Sequence, residues 1–225
     1  MRIGVLGAGA VGGTLAALLE RAGHEVDVTA RGPHLRAIQD GGLRLAGGYG
    51  DHVARVAAAE RLGRPPELAI VATKIADARD AMTENAGWLR GIPVLVVQNG
   101  LSAITMGVEC VPRSQVVGGL ALAATSLTEP GLVTVTSPAG MQIGSADGPG
   151  GAGVALVREV LDPVMPITVA PTSAAPSGPS SSSTGSTPCR PSPASACRPS
   201  SPSPCSGASS RVPCRRPSAR ASRAG

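Results

Sequence analysis

The chain has 225 residues and a formal net charge of +5, enough length for one large or two small domains. The charge is unevenly placed: residues 171–225 carry seven Arg and no Asp, Glu or Lys, so that segment is +7 and residues 1–170 are −2. The basic pI therefore says nothing about what the front part binds, and no apolar run of about twenty residues marks a membrane span.

"RIGVLGAG" (Arg2–Gly9) is a short apolar run ending in glycines and predicts a buried strand. Its glycines and the strand-turn-helix pattern that follows argue against a signal peptide. "AVGGTLAALLERAGH" predicts a helix ending at Gly23, and "HEVDVTAR" (His24–Arg31) a second strand. "PHLRAIQDGG" predicts a short helix opened by Pro33 and closed by Gly41 and Gly42. "GLRLAGGYGDHVARVAAAERL" suggests short strands around a glycine-rich turn.

Glu67–Lys74 and Ile92–Gly100 predict buried strands, with "IADARDAMTENAGWL" a helix between them. A helix is expected near Leu101–Val108, then strands near Val116–Ala123, Leu132–Thr136 and Met141–Ile143. "GAGVALVREVLDPV" predicts a last helix and "MPITVA" a last strand. Strands alternate with helices early and cluster late. That order predicts an α/β fold for residues 1–170, a Rossmann-like doubly wound parallel sheet with antiparallel edge strands. With Tyr49 and Trp88 the only aromatics, its core is built from Ala, Val, Leu and Ile.

The first turn carries "GAGAVG". Gly7 permits a tight turn, Gly9 leaves room for a pyrophosphate at the backbone, and Gly12 permits close helix–strand packing. The helix N-terminus offers unpaired N–H groups to a phosphate. A glycine-rich turn with no ligand is the competing reading. The second strand ends in Arg31 rather than in the acid that holds a ribose 2′-OH, and Asp27 lies mid-strand. Arg31 suits the 2′-phosphate of NADP(H), against a solvated surface arginine as the alternative. Lys74 and Asn99 end strands on the presumed ligand side, where either contacts a ligand or caps a loop. His24, His34 and His52 are scattered with no nucleophile or base arrangement, and Trp88 and Met82 are expected to pack. Cys110 is alone in the front part, as expected of a reduced, cytoplasmic protein.

"IGVLGAGAVGG", Arg31, "VATK", "VVQNG" and "GGLALAATSLTEPGLVTVTSPAGMQIG" together resemble the ketopantoate reductase family (2-dehydropantoate 2-reductase) over residues 1 to about 170. The resemblance implies NADPH-dependent reduction of 2-dehydropantoate to pantoate, a step toward pantothenate and coenzyme A. It implies that Gly7, Ala8, Gly9, Ala10, Val11, Gly12, Arg31 and Lys74 hold the cofactor, that Asn99 contacts cofactor and substrate, and that Ala124 lines the nicotinamide site. The implied partner is a small 2-keto acid, with no nucleic acid or membrane, and the oligomeric state is left open. In the family a lysine in a Trp-x-Lys-Leu-x-x-Asn segment, at the start of a helical second domain, donates the proton. Here no lysine follows Lys74, so no catalytic residue is assigned and turnover is not expected.

Residues 171–225 are rich in Pro, Ser and Arg and are read as a disordered tail in place of that helical domain. Cys189, Cys197, Cys205 and Cys214 are spaced too evenly and widely for a zinc site. Three readings of the tail stay open: a natural linker, a basic arm for nucleic acid or anionic membrane, and a shifted reading frame. In the last, Ser codons of one class become Phe, Leu, Ile or Val codons, and residues 171–184 can read Asp-Ile-Arg-Gly-Ala-x-Trp-Pro-Lys-Leu-Val-Val-Asn. The shift would fall between about residues 163 and 171.

Overall fold

Apolar residues that face two ways need cover on both sides, and this governs the architecture. The structure is a computed structural model. It describes residues 1–98, 102–111, 115–146, 148 and 150–170, all within one unit, Met1–Ser177. The tail from residue 171, with its linker, arm and frameshift readings, lies outside the described residues, as does Asn99.

In chain order the elements are β1 (Arg2–Leu6), α1 (Ala10–Arg21), β2 (Glu25–Thr29), α2 (Gly32–Gly41), β3 (Leu43–Gly47), β4 (His52–Ala54), β5 (Ala57–Ala59) and β6 (Leu68–Val71). Then come α3 (Ile75–Glu84), α4 (Ala86–Leu89), β7 (Pro93–Val97), α5 (Ser102–Cys110), β8 (Gln115–Ala121), β9 (Ala124–Glu129), β10 (Leu132–Ser137), β11 (Met141–Ser145), α6 (Ala152–Leu161) and β12 (Ile167–Val169).

Eight strands form the main sheet in the order β12-β11-β8-β7-β6-β1-β2-β5. β5, β2, β1, β6, β7 and β8 run parallel; β11 turns antiparallel to β8, and β12 runs parallel to β11. The fold is thus the expected doubly wound α/β sheet with an antiparallel edge. β6 and β7 show why both faces are covered. Leu68, Ile70, Leu95 and Val97 join the core beneath α1 and α6, while Ala69, Val71, Val94 and Val96 join the core beneath α3 and α5. Period-2 side chains on a fully apolar strand leave no face for water. The chain order reverses between β1 and β6, so the carboxyl ends of these two strands open a crevice.

Four features differ from the sequence expectations. The clustered late strands do not all join the main sheet. β9 and β10 pair with each other and, through β10–β3, form a second sheet in the order β4-β3-β10-β9. The expected strand at Val116–Ala123 stops at Ala121, and β9, which its polar "TSLTE" conceals, follows at once. The helix expected over "IADARDAMTENAGWL" breaks at Asn85, whose Nδ2 donates to Ala81 O at 2.8 Å while its Oδ1 accepts from Leu62 N–H at 3.1 Å. Met82 is buried in the core, but Trp88 is 41% exposed and does not pack as expected.

The second sheet lies against the side of α1 away from the main sheet, which is why Leu15, Ala16, Ala17, Leu18 and Leu19 are all essentially inaccessible. Glu20 fastens this contact. Its Oε1 accepts from Arg55 N–H at 2.9 Å, and its Oε2 is 2.6 Å from His52 Nε2. Burial acts to raise the Glu20 carboxyl, but these hydrogen bonds and the nearby positive charges more than offset it, holding it below its ordinary value of 4.5. A depressed carboxylate adds stability that is complete above its unfolded value and vanishes as pH falls through the folded one. The stability difference between wild type and Glu20→Gln should therefore be full near pH 6 and shrink below pH 4.5, read as urea midpoints.

Candidate functional site

The crevice at the β1/β6 reversal is built first by the turn after β1. Gly7 adopts φ +92°, a left-handed conformation, and a Cβ there would lie 2.7 Å from Thr73 Cγ2. A Cβ on Gly12 would collide with the Gly7 carbonyl and lie 3.0 Å from Ala72 Cβ, so this glycine seats α1 on the turn and the end of β6. At Gly9 a Cβ would meet nothing within 4 Å. Its missing side chain serves open space rather than protein packing. Gly9 caps α1 without a side-chain hydrogen bond, and no acid stands in the first turn. The N-terminal N–H groups of α1 thus face the crevice with the positive end of the helix dipole behind them.

The crevice has a volume of about 890 Å³. Of the expected cofactor residues, Gly7, Ala8, Gly9, Ala10, Val11, Arg31, Lys74 and Ala124 line it; Gly12 shapes it from behind. Lys74 is exposed where β6 passes into α3, and Ala124 begins β9 on the opposite rim. Arg31 precedes α2 and its side chain is 71% exposed, which leaves the guanidinium accessible to a ligand.

Several residues at the site do not stand out in the sequence. Thr29, at the end of β2, accepts Gly7 N–H on Oγ1 at 2.9 Å and Ala8 N–H on its carbonyl at 2.8 Å. Gln98 is buried at the crevice floor. Glu84 and Asn85 line the wall formed by the end of α3. Asp27, the mid-strand acid, is taken up elsewhere: it is buried and paired with Arg64 at 2.7 and 2.8 Å, which raises Arg64 above the ordinary guanidinium range. It is not available to a ribose.

His34 is a further residue whose place the sequence does not show. Isolated in the sequence, it is engaged in the fold: its Nε2 lies 2.6 Å from Ala8 O, and its Nδ1 accepts Gly131 N–H at 2.9 Å. A carbonyl only accepts and an N–H only donates, so Nε2 takes the donor role and Nδ1 the acceptor role. His34 thus ties the glycine turn, which carries Ala8, to the β9–β10 turn.

A profile of the family described as "Ketopantoate reductase PanE/ApbA" matches residues 3–148. The chain belongs to this family. It is 33% identical over 133 residues to the 2-dehydropantoate 2-reductase of Pyrococcus horikoshii, covering 59% of this chain and 44% of that one. It is 31% identical over 184 residues to the 2-dehydropantoate 2-reductase of Mesorhizobium japonicum, covering 71% and 56%. The chain spans about half the length of the curated relatives it matches. Among solved structures, a PanE/ApbA family ketopantoate reductase from Ralstonia eutropha aligns with a TM-score of 0.66 at 25% identity, over 76% of this chain and 56% of that one. D-mandelate dehydrogenase, in a ternary structure with NADH and anilino(oxo)acetate, shares the fold with a TM-score of 0.67 at 19% identity, over 76% and 57%.

Removing His34 leaves the buried Gly131 N–H without its acceptor and frees the glycine turn. Two lost hydrogen bonds predict that His34→Ala lowers stability by about 1–3 kcal/mol. Thermal unfolding measures this, and an unchanged midpoint would show that the bridge carries no weight.

Proposed function

We propose that residues 1–170 form the NADP(H)-binding domain of a reductase that converts 2-dehydropantoate to pantoate in pantothenate and coenzyme A biosynthesis. The observation that carries this is the crevice itself: an open Gly9 at a helix N-terminus with no side-chain cap, and Arg31 exposed between β2 and α2. The first is a place for a pyrophosphate and the second for a 2′-phosphate. The choice of NADP(H) over NAD(H) rests on Arg31 and on the engagement of Asp27 with Arg64. Lys74 adds a cation to the crevice, Ala124 faces the nicotinamide side, and Asn99 contacts both cofactor and a small 2-keto acid. The residues fit this group: a Cβ at Gly9 or an acid in the first turn of α1 would obstruct it, and neither is present.

The bound nucleotide supplies the hydride. The protein's part is to fix the pyrophosphate on α1, hold the adenosine end through Arg31 and present one face of the crevice to the keto carbon. Hydride addition leaves an alkoxide that needs a proton. Lys74 is the chain's one lysine, and no other follows it through residue 225. We assign these 225 residues cofactor binding without turnover, in the cytoplasm, with no nucleic-acid or membrane partner.

Residues 171–225 are read as the product of a shifted frame. β12 stays in register with β11 through Ile143↔Val169, which supports a shift after that strand. The gene's nucleotide sequence tests this. Restoring the frame after Ala170 should yield a Lys-Leu-x-x-Asn helix; a different product returns the tail to a natural arm.

For the cofactor, NADPH titrated into the protein should change its nucleotide fluorescence with saturation, and Arg31→Ala should weaken NADPH more than NADH. Loss of one charge-assisted pair predicts about a tenfold effect. Equal weakening of both nucleotides would remove the 2′-phosphate assignment. Addition of 2-dehydropantoate should leave the NADPH absorbance unchanged.

A further inference from the structure

The wall of the crevice nearest Arg31 holds an acid that the cofactor reading does not use. Glu84 is the last residue of α3 and lines the crevice beside Arg31. The last turn of α3 contains no basic residue, so this carboxylate sits at the negative end of the helix dipole. Its compensation comes from outside the helix. Arg31 Nη2 lies 3.8 Å from Glu84 Oε2, and Arg61 Nε lies 3.6 Å from the same oxygen. The Arg31 and Arg61 side chains are 71% and 67% exposed, and Glu84 is 35% exposed.

We propose that Glu84 sets the discrimination between nucleotides with and without a 2′-phosphate, by competing with that phosphate for Arg31. This rests on the cofactor reading above. A 2′-phosphate that engages Arg31 must draw the guanidinium from Glu84, leaving the carboxylate at a negative helix end with Arg61 as its remaining cation. It also brings further negative charge toward Glu84. A ribose 2′-OH does neither, and it can donate a hydrogen bond to a carboxylate. Glu84 therefore restrains the preference that Arg31 creates, and Arg61 limits that restraint by holding Glu84 when Arg31 leaves.

The experiment is a fluorescence titration of the full chain and its Glu84→Gln and Glu84→Ala variants with NADPH and with NADH, at low and high salt. Exposed ion pairs of this kind predict that both variants bind NADPH about two- to fivefold more tightly. NADH should be unchanged or weaker. The gain in the NADPH-to-NADH ratio should shrink between about 0.01 M and about 1 M salt, as the Debye length falls from about 30 Å to about 3 Å. A ratio unchanged in both variants overturns the proposal while leaving the cofactor assignment intact. Weaker NADPH binding by both variants overturns it too, since Glu84 would then be orienting Arg31 rather than competing for it. Failure of the wild-type chain to bind either nucleotide overturns the cofactor reading and this proposal together.

Discussion

The structure depends on how closely α1 can approach what surrounds it. Three glycines along the turn and the first helical residues remove the side chains that would hold it away. Gly7 lies under Thr73, Gly12 against the Gly7 carbonyl, and Gly13 under Val133 of the second sheet, where a Cβ would be 2.9 Å from Val133 Cγ1. α1 is therefore pressed from the main sheet on one side and the second sheet on the other. The same close seating brings the helix N-terminus to the carboxyl ends of β1 and β6. Packing and the shape of the crevice share one cause, and of the glycines in this turn Gly9 alone is spared a packing role.

That double duty explains why the sequence is informative here. A motif whose glycines satisfy steric demands within a strand-turn-helix leaves its mark in a few adjacent residues. The main sheet is legible for a similar reason: apolar runs such as "LAIV" and "PVLVV" need cover on both faces and so imply helices above and below. The second sheet is not legible. β9 is exposed along nearly its whole length, Ser126, Leu127, Thr128 and Glu129 included, so it has no apolar period to betray it. Its existence depends on β10 and on β3, which lies far earlier in the chain. Such pairing is decided by tertiary contact rather than by local pattern.

The same distinction separates the site residues that the sequence reveals from those it conceals. Arg31 and Lys74 stand between a strand and the helix that follows it, and such positions locate themselves once the strands are known. His34, Glu84 and Asp27 owe their roles to partners distant in the chain: His34 to Ala8 and Gly131, Glu84 to Arg31 and Arg61, Asp27 to Arg64. No spacing rule connects residue 34 to residue 131. The three histidines look alike in sequence, yet they differ in place. His34 bridges two turns, His52 meets Glu20, and partial burial and the nearby N-terminus hold His24 below its ordinary value.

Charge sorts these residues once their positions are known. The buried carboxylate of Asp27 is closed on both oxygens by one guanidinium, an arrangement whose geometry leaves little to offer a ligand. The pairs at Glu84 are long, exposed and single-contact, and pairs of that kind contribute little to stability. What contributes little to the fold can be exchanged at little cost to it. A guanidinium held loosely at the rim of an open crevice remains available to an anion, whereas one locked against a buried acid does not. The weakness of the Arg31–Glu84 pair is thus what lets the proposed competition run at little cost to folding.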